Sequence, residues 1–368
     1  MTIDLDAIAD NWRTLSAITA PGVCAAVVKA DGYGLGLAEV GTALHAAGCT
    51  KFFVATIDEG IALRKTIGTS PTVYILDGMM AGDTAGEFAS HGLTPVLNSP
   101  GDIALWGAHC RGSGDGASRS PDGGTAILAL DTGMHRLGLT PAETKDLAGA
   151  SDRLDGITLD YVMSHLACAD DAAHPMNHDQ RRRFNELRHD LPSAPASLAN
   201  SGGIFLGPEF HFDLARPGAA LYGISRSTGA PKKMKQVIGL KGKILQVRVV
   251  DSESTVGYGA TLSVPAGSRL ATVAAGYADG YLRSLGNSGH GYAAGVKIPV
   301  VGRVSMDLIS FDISAVPVDA LSPGDNIEMI GDHQTVDDLA DEADTIGYEI
   351  LTSLGQRYAR RYIGGDAP

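Results

Sequence analysis

One repeated pattern dominates the first 215 or so residues: a short, continuously apolar run precedes a stretch in which apolar residues recur with helical spacing. The predicted strands are residues 23–28, 52–55, 72–76, 94–97, 125–130, 157–164, 195–199 and 211–215. Helical spacing lies between them, for example at 37–47, 59–67 and 142–148. Eight strands alternating with helices predict an α/β fold with the size and rhythm of a (β/α)8 TIM-type barrel. A doubly wound sheet stays open, because sequence alone does not show closure.

The second part of the chain has a different texture from about Tyr222 onward. The segments KGKILQVRVV, RLATVAAGY, KIPVVGRVSMDLISFDIS and NIEMIG are strand-like and are separated by Gly and Pro instead of helices. A mostly β domain is therefore predicted, with RSTGAPKKMKQ as the linker and a helix at 335–343. We place the two domains at residues 1–228 and 229–368.

Composition limits the class of partner. The chain has 368 residues, 44% of them hydrophobic, a formal net charge of -13 and a pI near 5.2, which argues against general binding of nucleic acid, since such binding depends on clustered Lys and Arg. The four scattered cysteines show no metal-binding or disulfide spacing, and neither a secretory signal nor a membrane-spanning run is found. We expect a cytoplasmic protein that acts on a small molecule, without a nucleic-acid or membrane partner.

A lysine stands where the first predicted strand ends. Barrel enzymes build their active sites at the carboxyl ends of the strands, and a desolvated lysine there has a lowered pKa and can act as a nucleophile or form a Schiff base. The alternative is that Lys29 simply extends from the strand end to solvent. Tyr33 follows in a turn rich in glycine, and the segments ANSGG and ARPGA follow the seventh and eighth strands, where barrels often bind phosphate. The combination suggests a phosphorylated aldehyde cofactor attached to Lys29.

Several motifs in order extend this interpretation to nearly the whole chain. They are VVKADGYGLG, LDTGMHRLGL, MSHLACAD, LANSGGI, LARPGAALYG, VGYGATL, AAGYADGYLRSL, VGRVSMDLI and GYEILTSLG. With them the chain resembles the alanine racemases, the pyridoxal-phosphate (PLP) enzymes of fold type III with an amino-terminal barrel and a carboxyl-terminal β domain. The resemblance implies an isomerase that interconverts L-alanine and D-alanine and supplies D-alanine for peptidoglycan.

The resemblance also implies a cofactor site. Its implied cofactor-binding residues are Lys29, Tyr33, His165, Asn200, Ser201, Arg216, Gly218, Ala219 and Tyr348. Lys29 would bind the aldehyde as a Schiff base, and Arg216 would face the pyridine nitrogen. Because a guanidinium stays protonated and only donates, the ring would be a weaker electron sink than one paired with a carboxylate, which disfavours transamination.

Racemisation requires proton transfer on opposite faces of one carbon. The resemblance assigns the two proton transfers to Lys29 and to Tyr258 of the partner subunit, and it implies that His165 and Arg216 are further catalytic groups. Arg136 and the backbone at Met306 would bind the substrate carboxylate, and Tyr277 and Tyr348 would narrow the access to the site. A homodimer with shared active sites follows. No metal is expected, because the spacing of His165, Cys168, Asp170, His174 and His178 matches no standard zinc pattern.

The chain departs from the family pattern at three positions. Ala129 stands where many members carry a carbamylated lysine, so Arg136 must be fixed otherwise, with Asp131 or a bound ion as the candidates. Leu35 replaces a histidine near the cofactor phosphate, and Ser305 replaces a common cysteine.

Three other functions compete with alanine racemisation. A racemase for bulkier or basic amino acids stays open. A decarboxylase of the same class is disfavoured, because the only GSG segment, at 112–114, lies in a glycine-rich loop and no cysteine follows Cys168. A barrel-only cofactor-binding protein would lack the second domain.

Overall fold

The computed structural model describes residues 1–80, 84–112, 124–225 and 234–365. Its strands are β1 (Thr2–Asp4), β2 (Val23–Cys24), β3 (Ala26–Val27), β4 (Lys51–Val54), β5 (Thr72–Ile75), β6 (Thr94–Leu97), β7 (Gly124–Ala129), β8 (Ile157–Met163), β9 (Ala196–Ser197), β10 (Leu214–Ala215), β11 (Ile238–Val249), β12 (Ser254–Thr255), β13 (Ser263–Val264), β14 (Arg269–Ala274), β15 (His290–Ala293), β16 (Val296–Pro299), β17 (Leu308–Asp312), β18 (Asn326–Ile330) and β19 (Arg361–Ile363).

The helical segments are α1 (Leu5–Thr19), α2 (Lys29–Tyr33), α3 (Leu37–Ala46), α4 (Ile57–Ile67), α5 (Ala85–Ser90), α6 (Pro100–Cys110), α7 (Pro141–Ala148), α8 (Met176–His189), α9 (Ser201–Leu206), α10 (Val336–Glu342) and α11 (Gly347–Ser353). Short 3-10 turns lie at Ser151–Leu154, Pro208–Phe210, Ala219–Tyr222, Tyr258–Ala260, Tyr277–Asp279, Arg283–Leu285 and Val318–Ala320.

The parallel strands of the first half close into a barrel. β3 to β9 form one parallel sheet in chain order, and β2 pairs in parallel with β10. Only Ala25 separates β2 from β3, so the two are halves of one strand. The ring closes between β9 and β10, where the Asp213 N–H donates to the Ala196 carbonyl over 3.0 Å and the Arg216 N–H donates to the Ala199 carbonyl over 2.8 Å. The predicted barrel is confirmed, and the doubly wound sheet is wrong.

The helices around the barrel begin where the sequence provides caps. At α4 the Thr56 hydroxyl accepts from the Glu59 N–H, and the Glu59 carboxylate accepts from the Thr56 N–H, which is a reciprocal capping box. Thr140 and Glu143 repeat this arrangement at α7. These capped starts follow strands that are mostly buried, for example Phe52–Val54 of β4, so each strand and helix pair contributes to one continuous core.

The second half is mostly β, as predicted. Its central strand β11 pairs antiparallel with β14, β18 and β1, and β1 also pairs in parallel with β19. Residues Thr2–Asp4 at the start of the chain therefore join the sheet of the second half. The predicted helix at 335–343 is confirmed as α10.

Some sequence-based predictions fall on segments without a structural description. The predicted boundary at 228/229 and most of the predicted linker lie outside the described residues, as does most of the glycine-rich loop at 111–124. Within the described residues, no helix is long and apolar enough to cross a bilayer.

Candidate active site

A cavity of about 640 Å³ opens at the carboxyl ends of the barrel strands. Ten of the thirteen site residues proposed from the sequence line it, namely Lys29, Tyr33, Arg136, His165, Asn200, Ser201, Arg216, Gly218, Ala219 and Tyr348. Tyr348 comes from α11 of the second half, while the others follow barrel strands. Since this end of a barrel is where catalytic groups converge, the cavity is the candidate active site.

The turn after β3 sets the direction of Lys29. Ala30, Asp31, Gly32 and Tyr33 have φ values of 54°, 54°, 62° and 56°, so α2 is one left-handed turn. A left-handed conformation costs about 1–2 kcal/mol for each residue other than glycine. Within this turn the Gly34 N–H donates a hydrogen bond to the Ala30 carbonyl over 2.7 Å. This strained turn places Lys29 at one end and Tyr33 at the other, both facing the cavity.

Lys29 is half-buried in the cavity wall. Burial lowers the pKa of its amine, and the positive charge of Arg136 lowers that pKa further. The carboxylates of Asp77 and Glu59 oppose the shift. An amine in this setting gives up its proton more readily than a solvent-exposed lysine, which suits a nucleophile or a base.

A small polar cradle lies beside the strand that carries Lys29, in the loops that follow β9 and β10. The Ser201 hydroxyl accepts from the Gly218 N–H over 3.0 Å and from the Ala220 N–H over 3.2 Å. The Tyr33 hydroxyl approaches Gly218 so closely that a Cβ at that position would overlap it. The Asn200 side chain caps α9 by accepting from the Gly203 N–H over 2.9 Å. The cradle combines the hydroxyl groups of Ser201 and Tyr33 with backbone N–H groups, which are the kinds of polar group that bind an anion.

Tyr33 is held from its other side by aromatic neighbours. Its ring stacks on Tyr222 with centroids 4.5 Å apart, and the Tyr348 ring lies 6.0 Å away. The Tyr222 hydroxyl donates in turn to the Val27 carbonyl over 3.3 Å. The Tyr33 ring is therefore packed between Tyr222 and Tyr348 of α11.

Arg216 and His165 form a buried pair in the cavity. Arg216 is only 4% exposed; its Nη2 donates to the Ser164 carbonyl over 2.6 Å, and its Nη1 donates to the Ser197 hydroxyl. Its Nη2 also lies 3.5 Å from His165 Nδ1. Since a guanidinium only donates, Nδ1 accepts and the imidazole proton lies on Nε2.

The two side chains also differ in how they hold charge. Burial lowers the pKa of Arg216 to about 10, so the guanidinium keeps its charge near neutral pH. Burial, followed by the charges of Arg216 and Arg136, lowers the pKa of His165 to about 3, so the imidazole is neutral.

Arg136 lines the cavity from the loop after β7 and is exposed. Asp131, the candidate for fixing it, instead accepts from the Gly133 N–H over 2.8 Å and the His135 N–H over 3.1 Å, while its other oxygen lies 3.0 Å from His135 Nδ1. Ala129 lies in the cavity wall, so this chain has no amine there to carbamylate. Asp131 thus orders the loop without contacting the guanidinium.

The cavity wall also contains Asp77 and Asn98, which the sequence analysis did not single out. Each follows a predicted strand directly, in LDG and LNS, and that position alone could have identified them. The Asn98 side chain donates to the Leu76 carbonyl over 2.9 Å, so it joins two neighbouring strand ends.

Tyr258, Tyr277 and Met306 do not line this cavity. They lie in the second half of the chain and are 73%, 42% and 53% exposed. The Tyr277 N–H donates to the Ser305 carbonyl over 3.0 Å, which places Tyr277 beside the loop that carries Met306. Within one chain, the structure therefore separates these three residues from the ten that line the cavity.

Comparison with known proteins relates both halves to one family. Residues 3–226 match the alanine racemase N-terminal domain, and residues 237–362 match the alanine racemase C-terminal domain. Alanine racemase of Rhodospirillum rubrum is 51% identical over 365 residues, 99% of this chain and 96% of that protein. Catabolic alanine racemase of Mesorhizobium japonicum is 50% identical over 365 residues, 99% and 93% of the two chains.

Solved structures have the same fold. Alanine racemase from Bartonella henselae, with covalently bound pyridoxal phosphate, superimposes with a TM-score of 0.91 at 40% identity over 98% of both chains. Biosynthetic alanine racemase from Pseudomonas aeruginosa superimposes with a TM-score of 0.88 at 32% identity, covering 99% of this chain and 98% of that one. The chain therefore belongs to the alanine racemase family.

Proposed function

We propose that this chain interconverts L-alanine and D-alanine with PLP attached to Lys29. The observation that carries the proposal is the meeting of three features in one cavity: the half-buried Lys29, the buried cation of Arg216, and the cradle of Ser201 and Gly218. Alanine racemases are PLP enzymes, and the Bartonella relative holds the cofactor covalently.

The residues present fit this cofactor. The Tyr33 hydroxyl lies so close to Gly218 that position 218 has no room for a side chain. This hydroxyl would bind the cofactor phosphate together with the other residues of the cradle, namely Ser201, Asn200, Ala219 and Tyr348. Arg216 would face the pyridine nitrogen and His165 would lie beside the ring. When bound, PLP withdraws electrons from the substrate α-carbon and so acidifies its proton.

The protein's own groups then direct the reaction. Arg216 keeps its charge and can only donate, so it limits electron withdrawal by the ring and favours return of the proton to the α-carbon over transamination. The lowered pKa of Lys29 lets its Nζ hold or release a proton on one face. Arg136 would bind the substrate carboxylate with its two-pronged guanidinium.

The base for the opposite face would come from a second copy of the chain. Tyr258 is 73% exposed and lies outside the cavity of its own chain, as do Met306 and Tyr277. In a symmetric dimer an exposed patch of this kind can complete the partner's cavity. We assign Tyr258 the proton transfer, Met306 the carboxylate contact and Tyr277 the narrowing of the access channel.

Mixing two inactive variants tests the shared site. Lys29→Ala removes the cofactor anchor and Tyr258→Phe removes the second base, so each homodimer should be inactive. In a mixed dimer one of the two sites retains both groups, so random reassociation should restore about a quarter of wild-type activity. If each chain supplied its own Tyr258, mixing would restore nothing.

Substrate range is tested by incubating the holoenzyme with L-alanine, L-serine and L-lysine in deuterated water, with proton NMR and chiral analysis. Loss of the α-proton signal together with appearance of the D-form, fastest for alanine, is the expected result. Fastest exchange with lysine would favour a racemase for basic amino acids, and release of carbon dioxide would favour a decarboxylase. The supply of D-alanine for peptidoglycan stays a prediction, since one relative is named catabolic and another biosynthetic.

Two further assignments belong to the proposal. The domain division at 1–228 and 229–368 is supported by the family matches, which end at residue 226 and begin again at residue 237. A cytoplasmic location is supported by four cysteines that all stay free, as thiols do in a reducing compartment.

A further inference from the structure

We propose that Glu59 is a positioning residue, which caps the left-handed turn after Lys29 and thereby sets where the Lys29 amine and the Tyr33 hydroxyl lie in the cavity. This inference rests on the proposed function, because it assigns Lys29 and Tyr33 to cofactor binding. Glu59 itself is not among the residues that line the cavity.

The Glu59 carboxylate accepts from four backbone N–H groups in two separate segments. Its Oε1 accepts from Ala30 over 2.6 Å and from Asp31 over 3.3 Å, both in the left-handed turn. Its Oε2 accepts from Ala55 over 2.9 Å and from Thr56 over 3.4 Å, at the start of α4. One carboxylate therefore joins the turn that carries Lys29 to the end of the neighbouring strand.

The turn requires an external acceptor at this point. Its internal bonds begin with the Gly32 N–H, which donates to the Val28 carbonyl over 2.9 Å, and continue with Gly34 and Gly36. The N–H groups of Ala30 and Asp31 precede that series, in the way that the first N–H groups of any helical turn lack internal partners. An anion at this end satisfies both donors and is favoured by the aligned peptide dipoles.

The turn is also strained, so contacts from outside the turn are needed to keep its backbone conformation. Ala30, Asp31 and Tyr33 all have positive φ without being glycine. Such conformations persist only where the surroundings over-determine them. Without the Glu59 contacts, Ala30 and Asp31 could relax toward ordinary dihedrals, which would move the flanking Lys29 and Tyr33 together.

Charge adds a second effect at the same place. The Glu59 carboxylate opposes the lowering of the Lys29 pKa that burial and Arg136 cause. Removing this charge while keeping the side chain's size should therefore shift the titration of Lys29 to lower pH.

The chain offers a matched control in Glu143. This residue occupies the same position of a capping box at α7, where its Oε2 accepts from the Thr140 N–H and hydroxyl, each over 2.9 Å. It is absent from the cavity lining. Glu143→Gln thus weakens a helix cap of the same kind without affecting the turn after Lys29.

The test compares Glu59→Gln, Glu143→Gln and wild type by three measurements. These are the thermal midpoint of the cofactor-free protein, the PLP dissociation constant by absorbance titration, and the pH dependence of the rate at which added PLP attaches to Lys29. Both variants should lose a few degrees of midpoint, as lost caps do. Only Glu59→Gln should weaken PLP binding, by about tenfold or more, and move the attachment profile to lower pH by roughly half a unit or more.

Equal PLP affinity and equal attachment profiles in the two glutamine variants would overturn the proposal, because Glu59 would then be a helix cap and nothing more. If Glu59→Gln does not fold, Glu59→Asp replaces it in the affinity comparison, since a side chain one methylene shorter cannot reach both segments. Failure of the proposed function is separate: wild type that binds PLP at Lys29 but does not racemise alanine would refute the function and leave these binding measurements to decide the role of Glu59.

Discussion

Gly218→Ala tests whether the contact between Tyr33 and Gly218 forms the cofactor cradle. A Cβ at position 218 would overlap the Tyr33 hydroxyl and lie 3.0 Å from Tyr33 Cζ and 3.4 Å from Cε2. The tyrosine ring cannot slide away easily, because it is buried and stacks on Tyr222 at 4.5 Å. Overpacking of this kind costs about 1–3 kcal/mol, and the clamped ring argues for about 2 kcal/mol.

The same strain should appear in cofactor affinity. If about 2 kcal/mol is lost where the phosphate binds, the PLP dissociation constant rises about 30-fold. The assay is absorbance titration of the cofactor-free protein, together with its thermal midpoint. Gly86→Ala is the control, since position 86 is an exposed helical glycine with nothing within 4 Å of the added Cβ, and it should leave both quantities near wild type or raise the midpoint slightly.

A double-mutant cycle identifies the cause of the loss. Tyr33→Phe removes the overlapping oxygen, so Gly218→Ala should cost less stability in the Tyr33→Phe background than in wild type, with a coupling of about 1 kcal/mol or more. Strict additivity of the two stability changes would refute the reasoning, as would a Gly218→Ala protein that binds PLP as tightly as wild type.

Three further predictions concern titration and buried charge. The free energy of unfolding of the cofactor-free protein should fall as pH falls from about 6.5 toward 3, because His165 is protonated in the unfolded chain below about 6.5 but in the folded protein only near its lowered pKa of about 3. In urea unfolding measured at a series of pH values, His165→Asn should reduce this dependence of the unfolding free energy on pH. Arg216→Gln should raise the His165 pKa in NMR titrations but keep it below the ordinary range, since burial is the larger cause; an unchanged pKa would contradict the pairing. Asp160→Asn should cost about 1–3 kcal/mol of unfolding free energy, since the carboxylate accepts from Lys51 Nζ over 3.2 Å and from the Tyr74 hydroxyl; thermal unfolding equal to wild type would show that this pair adds nothing.

The position of Lys29 was predictable from the sequence because it depends on local pattern. A continuous apolar run ends at Val28, and the carboxyl ends of barrel strands face the active site. The shape of the following turn was not predictable. Glycines at 32, 34 and 36 indicate a tight bend, but Ala30, Asp31 and Tyr33 also adopt positive φ, which their residue types disfavour.

Features that depend on contacts between distant parts of the chain could not be predicted from the sequence either. Closure of the barrel relies on bonds such as that from Asp213 to Ala196, and apolar periodicity carries no information about them. The strand Thr2–Asp4 is too short to show a period, and its partner Ile238 lies more than two hundred positions away. Glu59 is recognisable in sequence as the end of a capping box, whereas its contact with Ala30 exists only once the turn has folded over α4.

Charge in the cavity runs opposite to the charge of the whole protein. The chain has a formal net charge of -13, yet Lys29, Arg136 and Arg216 converge on one cavity whose only carboxylates are Asp77 and Asp131 among the described residues. A phosphate and a substrate carboxylate are both anions, so this local excess of cations favours both.

Asp131 does not offset that local excess of positive charge, because its carboxylate is already bound to other groups. Its carboxylate is engaged by the backbone of Gly133 and His135 and by the His135 ring, so it does not neutralise Arg136. Among the described residues, Arg136 has no hydrogen bond or ion pair, which leaves both prongs of its guanidinium available to a carboxylate. Ala129, at the position where the family resemblance implies a carbamylated lysine, offers no group to orient Arg136, so we expect the geometry of carboxylate binding to be weakened more than its charge complementarity.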